Sequence, residues 1–88
     1  MSWTINLSKD AAKQLRHLPT DRREQVSRAL DQMTEDPMSG DVVPIKSGKF
    51  KGSLRGRTGR YRIIFNVNFE TQVIDVGAIL LRTEKTYR

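Results

Sequence analysis

The chain has 88 residues, with 16 basic against 10 acidic side chains, a formal charge of +6 and no cysteine. Such a length predicts one domain (1–88) with a small core and no room for a deep cofactor cavity, so no cofactor is expected. The missing thiol excludes disulfide stapling, cysteine-ligated zinc, iron–sulfur clusters and thiol catalysis. Met1-Ser2-Trp3-Thr4 lacks a basic region followed by an apolar stretch, and no apolar run approaches the roughly 20 residues of a membrane span. A cytoplasmic protein with no membrane partner is expected.

Trp3, Ile5 and Leu7 alternate with Thr4 and Asn6, which predicts a short strand with one buried face. Ser8 suits a helix N-cap, and Ala11, Ala12, Leu15 and Leu18 fall near one helical face until Pro19 ends the run. Thr20 or Asp21 is expected to cap a second helix, because Asp21 and Glu24 have capping-box spacing. Val26, Ala29, Leu30 and Met33 form its apolar stripe, and Asp36-Pro37 stops it. The two helices are joined closely enough to require a helical hairpin.

Pro37, Gly40, Pro44 and Gly48 mark 37–49 as a loop with at most a brief extended piece. A strand is expected over 50–57, then a clearer one from Arg60 to Val67. There Tyr61, Ile63, Phe65 and Val67 point one way and Arg60, Arg62, Ile64 and Asn66 the other. Asn68 to Gln72 form a hairpin loop. Val73 to Leu81 is apolar almost throughout, as in a central strand packed on both faces. A polar tail follows. The predicted order β-α-α-β-β-β is an α+β fold, two helices beside a mostly antiparallel sheet.

Charge is concentrated in the middle of the chain. Residues 42–69 hold no acid and seven bases: Lys46, Lys49, Lys51, Arg55, Arg57, Arg60 and Arg62. The flanking segments carry net charges of −1 and zero, so this segment supplies the whole excess. A local positive potential of that kind recruits a polyanion, whether RNA, DNA or an acidic protein segment. Arg55 and Arg57 share a strand face, and the tight turn Thr58-Gly59 lets antiparallel pairing bring Arg62 to the same face. Three converging cations repel one another unless an anion fills the space between them. Arginine suits phosphate, because its planar fork donates two parallel hydrogen bonds and stays charged. Lys46, Lys49, Lys51 and Arg60 would widen the field. Arg82 and Tyr87 reach the same face if the tail folds back. By residue type alone the patch reads as a binding surface more readily than a catalytic one. His17 reads as a surface residue without metal-ligand neighbours, Tyr61 as core and Trp3 as core-edge packing.

The segment Leu54-Arg55-Gly56-Arg57-Thr58-Gly59-Arg60-Tyr61-Arg62-Ile63-Ile64-Phe65 resembles the signature of the RelE/ParE superfamily of toxin–antitoxin toxins. That signature is arginine, one residue, glycine, one residue, tyrosine, arginine, then a hydrophobic strand. Ile45-Lys46-Ser47-Gly48 is similar to the family's leucine-lysine-glycine region, and Leu15-Arg16-His17-Leu18-Pro19 also resembles the family, so the resemblance spans nearly the whole chain. It implies a RelE-like fold and a type II toxin held by a cognate antitoxin with an acidic inhibitory segment. Operator DNA would be reached only through that antitoxin. RelE-like members cut messenger RNA in the ribosomal A site. ParE-like members bind DNA gyrase without nuclease chemistry. The RelE-type catalytic set corresponds here to Arg55, Arg57, Arg62, Arg82 and Tyr87, with Lys46, Lys49, Lys51 and Arg60 as RNA-binding cations. The retained Arg62, Arg82 and Tyr87 favour the nuclease branch. One family lysine, two positions before Arg55, is Ser53 in this chain.

The resemblance implies metal-independent cleavage, in which a 2′-OH attacks the adjacent 3′-phosphate. Arg62 with Arg55 or Arg57 would stabilise the charged transition state. Tyr87 would take the 2′ proton or stack on a base. Free tyrosine titrates near about 10, so base action would need neighbouring cations. Arg82 would orient the phosphate or serve the leaving oxygen. The competing readings are a ParE-like gyrase inhibitor and a toxin domain without activity.

Overall fold

The computed structural model describes residues 3–81. They form β1 (Thr4–Leu7), α1 (Lys9–Arg16), α2 (Thr20–Glu35), β2 (Val42–Pro44), β3 (Leu54–Thr58), β4 (Tyr61–Asn68) and β5 (Val73–Leu81). Among the described residues the strands make one sheet, in the order β1-β5-β4-β3-β2. β1 runs parallel to β5, and the other neighbours are antiparallel. The expected α+β arrangement is therefore observed. The brief extended piece expected in the 37–49 loop is the edge strand β2.

Both helices cover one face of the sheet. Ala11 of α1 and Val26, Leu30 and Met33 of α2 meet Tyr61, Ile63, Phe65, Ile74, Val76 and Ile79 in a single core. Trp3 packs against its edge, as expected. Phe65, Ile74, Val26 and Val76 are the largest side chains sealed from water there. No described helix is long and apolar enough to cross a membrane.

Ser8 caps α1 as expected, and its hydroxyl has two tasks. It accepts the Ala11 N–H at 3.0 Å and donates to the Gly77 carbonyl at 2.9 Å. The second helix departs from expectation. Its N-cap is Pro19, with no side-chain cap bond, and Thr20 is already helical. The fixed φ of proline, here −56°, prepares the first turn in place of a capping hydroxyl. Asp36 ends the helix in extended geometry, φ −157°, as a residue before proline should.

Two strand boundaries also differ. Residues 50–53 are turn rather than strand, because Gly48 and Gly52 take φ of +89° and +93° and break the extended path. β4 begins at Tyr61 because Gly59 and Arg60 form a two-residue connection, with Gly59 at φ +58°. In β5, Phe65 pairs with Val76 while Ile64 pairs with Ala78, so Gly77 is an extra, bulged residue. The bulge resets the alternation. Ile74 and Val76 face the helices before it, and Ile79 does so after it. α1 secures this segment through Ser8 and through Gln14, whose Oε1 accepts the Ile79 N–H at 2.7 Å.

Candidate functional site

The β3–β4 register decides where the basic side chains stand. Arg57 lies directly opposite Arg62, and Arg55 directly opposite Ile64. Directly opposed residues share a face, as do residues two apart on one strand. Arg55, Arg57 and Arg62 therefore converge on the face turned away from the helices, as the spacing predicted. Arg55 and Arg62 are half-buried and Arg57 is exposed. The Nε of Arg55 is sealed from water without a hydrogen-bond partner among the described residues. Native structures rarely leave such a donor unmatched.

One expectation about this cluster needs correction. The three cations are not left bare, because Asp41 borders the acid-free segment and continues β2 one step past the Val42–Gly56 pair. It thereby stands opposite Arg57. Their backbones are joined by the Arg57 N–H and Asp41 carbonyl at 3.3 Å, and their side chains by an ion pair at 3.7 Å. The pairing partner of Arg57 was hidden in the sequence because β2 has only three residues.

The remaining basic residues divide between the two ends of β3. Arg60 is exposed in the β3–β4 turn, beside Arg57 and Arg62. Lys46, Lys49 and Lys51 are exposed in the β2–β3 connection at the other end. Five strand residues at about 3.3 Å each separate the two groups by roughly 16 Å. The Lys49 ammonium rests 5.6 Å from the centre of the Phe50 ring. Arg82 and Tyr87 lie outside the described residues. Tyr61 is core and His17 is exposed, both as expected.

A row of polar side chains crosses the same face and was not singled out from sequence. Ser53 precedes the Leu54–Phe65 pair by one step and so stands opposite Asn66. Asn66 pairs with Asp75, and Asp75 with Asn6. The Asn66 amide donates to the Ser53 hydroxyl at 3.2 Å, and the Asn6 amide to Asp75 Oδ1 at 3.5 Å. The available signal was the shared face of Arg62, Ile64 and Asn66 on β4.

A cleft of about 450 Å³ opens on the helix side, between the C-terminal half of α2 and the β2–β3 edge. Met33, Val42 and Phe65 line its apolar part, and Glu35, Asp36 and Asp41 its exposed margin. Of the predicted site residues among those described, Arg57 alone reaches it. Among the described residues no group of three or more His, Cys, Asp or Glu is placed to hold a metal ion.

No protein-family model and no curated protein sequence matches the chain. Solved structures do. A chain of the RelBE2 toxin–antitoxin complex from Mycobacterium tuberculosis matches with a TM-score of 0.79 at 19% identity, over 93% of this chain and 100% of that one. The archaeal RelE–RelB complex from Pyrococcus horikoshii gives 0.78 at 24%, over 96% and 99%. The YoeB/ParE toxin from Agrobacterium tumefaciens gives 0.73 at 14%, over 91% and 99%. The fold is that of the RelE/ParE toxins.

Proposed function

We propose that this chain is the toxin of a type II toxin–antitoxin pair and acts as an mRNA interferase, cutting messenger RNA in the ribosomal A site. One observation carries the reading. On a RelE-like fold, three arginines from two strands share a face, two of them directly opposed, and a third offers a buried N–H with no acceptor among the described residues. The unmatched Arg55 donor is one that a phosphate oxygen would satisfy. Several of the matching structures are RelE–RelB complexes, which supports an antitoxin partner; its acidic segment would suit the same basic face.

In the proposed reaction the 2′ oxygen of one nucleotide loses its proton and bonds to the adjacent phosphorus. The bond from phosphorus to the 5′ oxygen of the next nucleotide breaks, and that oxygen takes up a proton. The products are a 2′,3′-cyclic phosphate and a 5′-hydroxyl. The nucleophile is internal to the substrate, so the protein supplies alignment and charge. Arg62, with Arg55 and Arg57, neutralises the extra negative charge on phosphorus-bound oxygen. Tyr87 takes the 2′ proton, and Arg82 steadies the phosphate. A shallow site without a strong base gains from a ribosome that holds the message bent.

The test is mapping of mRNA ends in a translation extract, with wild type and Arg62→Ala compared. Cuts within ribosome-occupied codons, reduced roughly 10²–10³-fold in the variant, are expected. Intact messages, from protein that still arrests growing cells, would overturn the nuclease reading. Binding to DNA gyrase without cleavage would then take its place.

A further inference from the structure

We propose that the cleft between α2 and the β2–β3 edge docks a protein segment that carries large apolar side chains flanked by lysine or arginine. The cleft exists because a side chain is missing. Gly56 lies on the helix-side face of β3, between Val42 on β2 and Ile63 on β4 in the register. It is not among the glycines with positive φ, so the backbone there does not require one. A Cβ on Gly56 would stand 3.5 Å from the Phe65 ring and 3.9 Å from Val42, in ordinary contact. Glycine inside a strand weakens it and often marks the close approach of something else. Ala29 lines the cleft from α2, so both sides are cut back around an apolar floor of Met33, Val42, Ile63 and Phe65.

The margin sets the charge of the occupant. The chain has 16 basic and 10 acidic side chains, yet the charged residues lining the cleft are Glu35, Asp36, Asp41 and Arg57. Arg57 is already paired with Asp41. Glu35 and Asp36 stand at the C-terminal end of α2, whose last turn holds no basic residue. A helix C-terminus is itself partly negative, so dipole and carboxylates both favour a cation there. The edge of β2 asks for donors as well. Asp41 and Ile45 bond toward β3, so Val42 and Pro44 turn their main-chain groups outward. The Val42 N–H is taken by the Gly40 carbonyl at 3.1 Å and Pro44 has none, which leaves carbonyl acceptors. A strand cannot complete a ladder on such an edge, whereas lysine and arginine side chains are donors only. The carboxylates form no metal site among the described residues, so the cation they suit is a partner's side chain. The cleft and the arginine face ask for opposite charges, and a uniformly acidic segment does not suit both. The cleft docks its segment in this way whether or not the chain cuts RNA.

The test is fluorescence anisotropy with the full chain and a pair of labelled peptides. One has leucine and phenylalanine at its centre and a pair of lysines on each side. The other has glutamates in place of the lysines. The net charge of the chain repels the lysine peptide, so its binding reports the acid-rimmed cleft. Wild type is expected to bind it. Gly56→Val, which fills the slot, should weaken that binding about tenfold or more, and Glu35→Lys up to about fivefold. The glutamate peptide goes to the arginine face, and Gly56→Val should leave its affinity unchanged. Circular dichroism checks each fold, and Gly56→Ala replaces Gly56→Val if the valine variant does not fold. No binding of the lysine peptide by wild type, or equal binding by a folded Gly56 variant, would overturn the docking site. An equal loss of both peptides in a folded Gly56 variant would overturn it too.

Discussion

The face of the sheet under the helices and the face turned away from them are built by the same strands from opposite materials. On β4, Tyr61, Ile63 and Phe65 go under the helices, while Arg62 and Asn66 go to the other side. The first face gains free energy by excluding water, and close packing makes each member matter. The second sets Arg57 directly opposite Arg62, a like-charge pair eased at Arg57 by Asp41. Packing thus explains the first face and, on the second, the buried Ile64 and Ala78, and leaves the arginines to function. The two faces should respond to substitution in different measurements, and that expectation can be broken.

The largest effect is expected on the helix side. Phe65 is 1% exposed, at the centre of the core. Phe65→Ala should cost about 3–5 kcal/mol, enough to unfold a small domain at physiological temperature. Chemical denaturation would show it as a fall in midpoint. A variant that kept its midpoint would mean the core lies elsewhere. Arg62→Ala should do the reverse. Its denaturation midpoint should move far less than that of Phe65→Ala, while cleavage falls by roughly 10²–10³.

An intermediate effect is expected where the two faces are tied together. The Gly77 bulge keeps Ile79 on the core side and Ala78 on the arginine side, and Ser8 holds it from α1. Ser8→Ala removes both the cap of α1 and the donor to Gly77, and should cost about 1 kcal/mol, up to 2. Hydrogen exchange should then rise together at Ala11 and along 77–79. Faster exchange at Ala11 alone would show that the cap and the bulge are independent.

The same bulge shows where the sequence stops being readable. On β4 Arg62 stands between Tyr61 and Ile63, and Asn66 between Phe65 and Val67, so the faces of that strand could be assigned from residue types despite the apolar run Ile63-Ile64-Phe65. The arginine cluster was legible for the same reason, since positions two apart and a tight turn fix a shared face locally. β5 was different. Val73 to Leu81 is apolar at nearly every position, and nothing in the run says that Gly77 drops out of the ladder. The parallel pairing of β1 with β5 joins residues about 70 apart, such as Ile5 and Ile74, and is set by packing of the whole chain. The ion pair to Asp41 and the Ser53–Asn66 bond also follow from register across strands, which residue types alone do not give. The expected roles of Arg82 and Tyr87 fall outside the described residues and rest on the family resemblance.

The smallest effect expected on stability is also the sharpest probe of the arginine face. Arg57 and Asp41 are 36% and 54% exposed, and an ion pair so open to water contributes about 0–1 kcal/mol. Asp41→Asn should therefore leave the denaturation midpoint nearly unchanged. It should, however, release Arg57 to a phosphate. RNA affinity should rise, and the dependence of log K on log salt should steepen by up to about 0.7, one further single-strand phosphate contact. An unchanged slope would place Arg57 outside the anion's reach and leave Arg55 and Arg62 to hold it. Lost stability instead would mean that the pair belongs to the β2–β3 edge, and the division between a stabilising face and a functional face would fail at this residue.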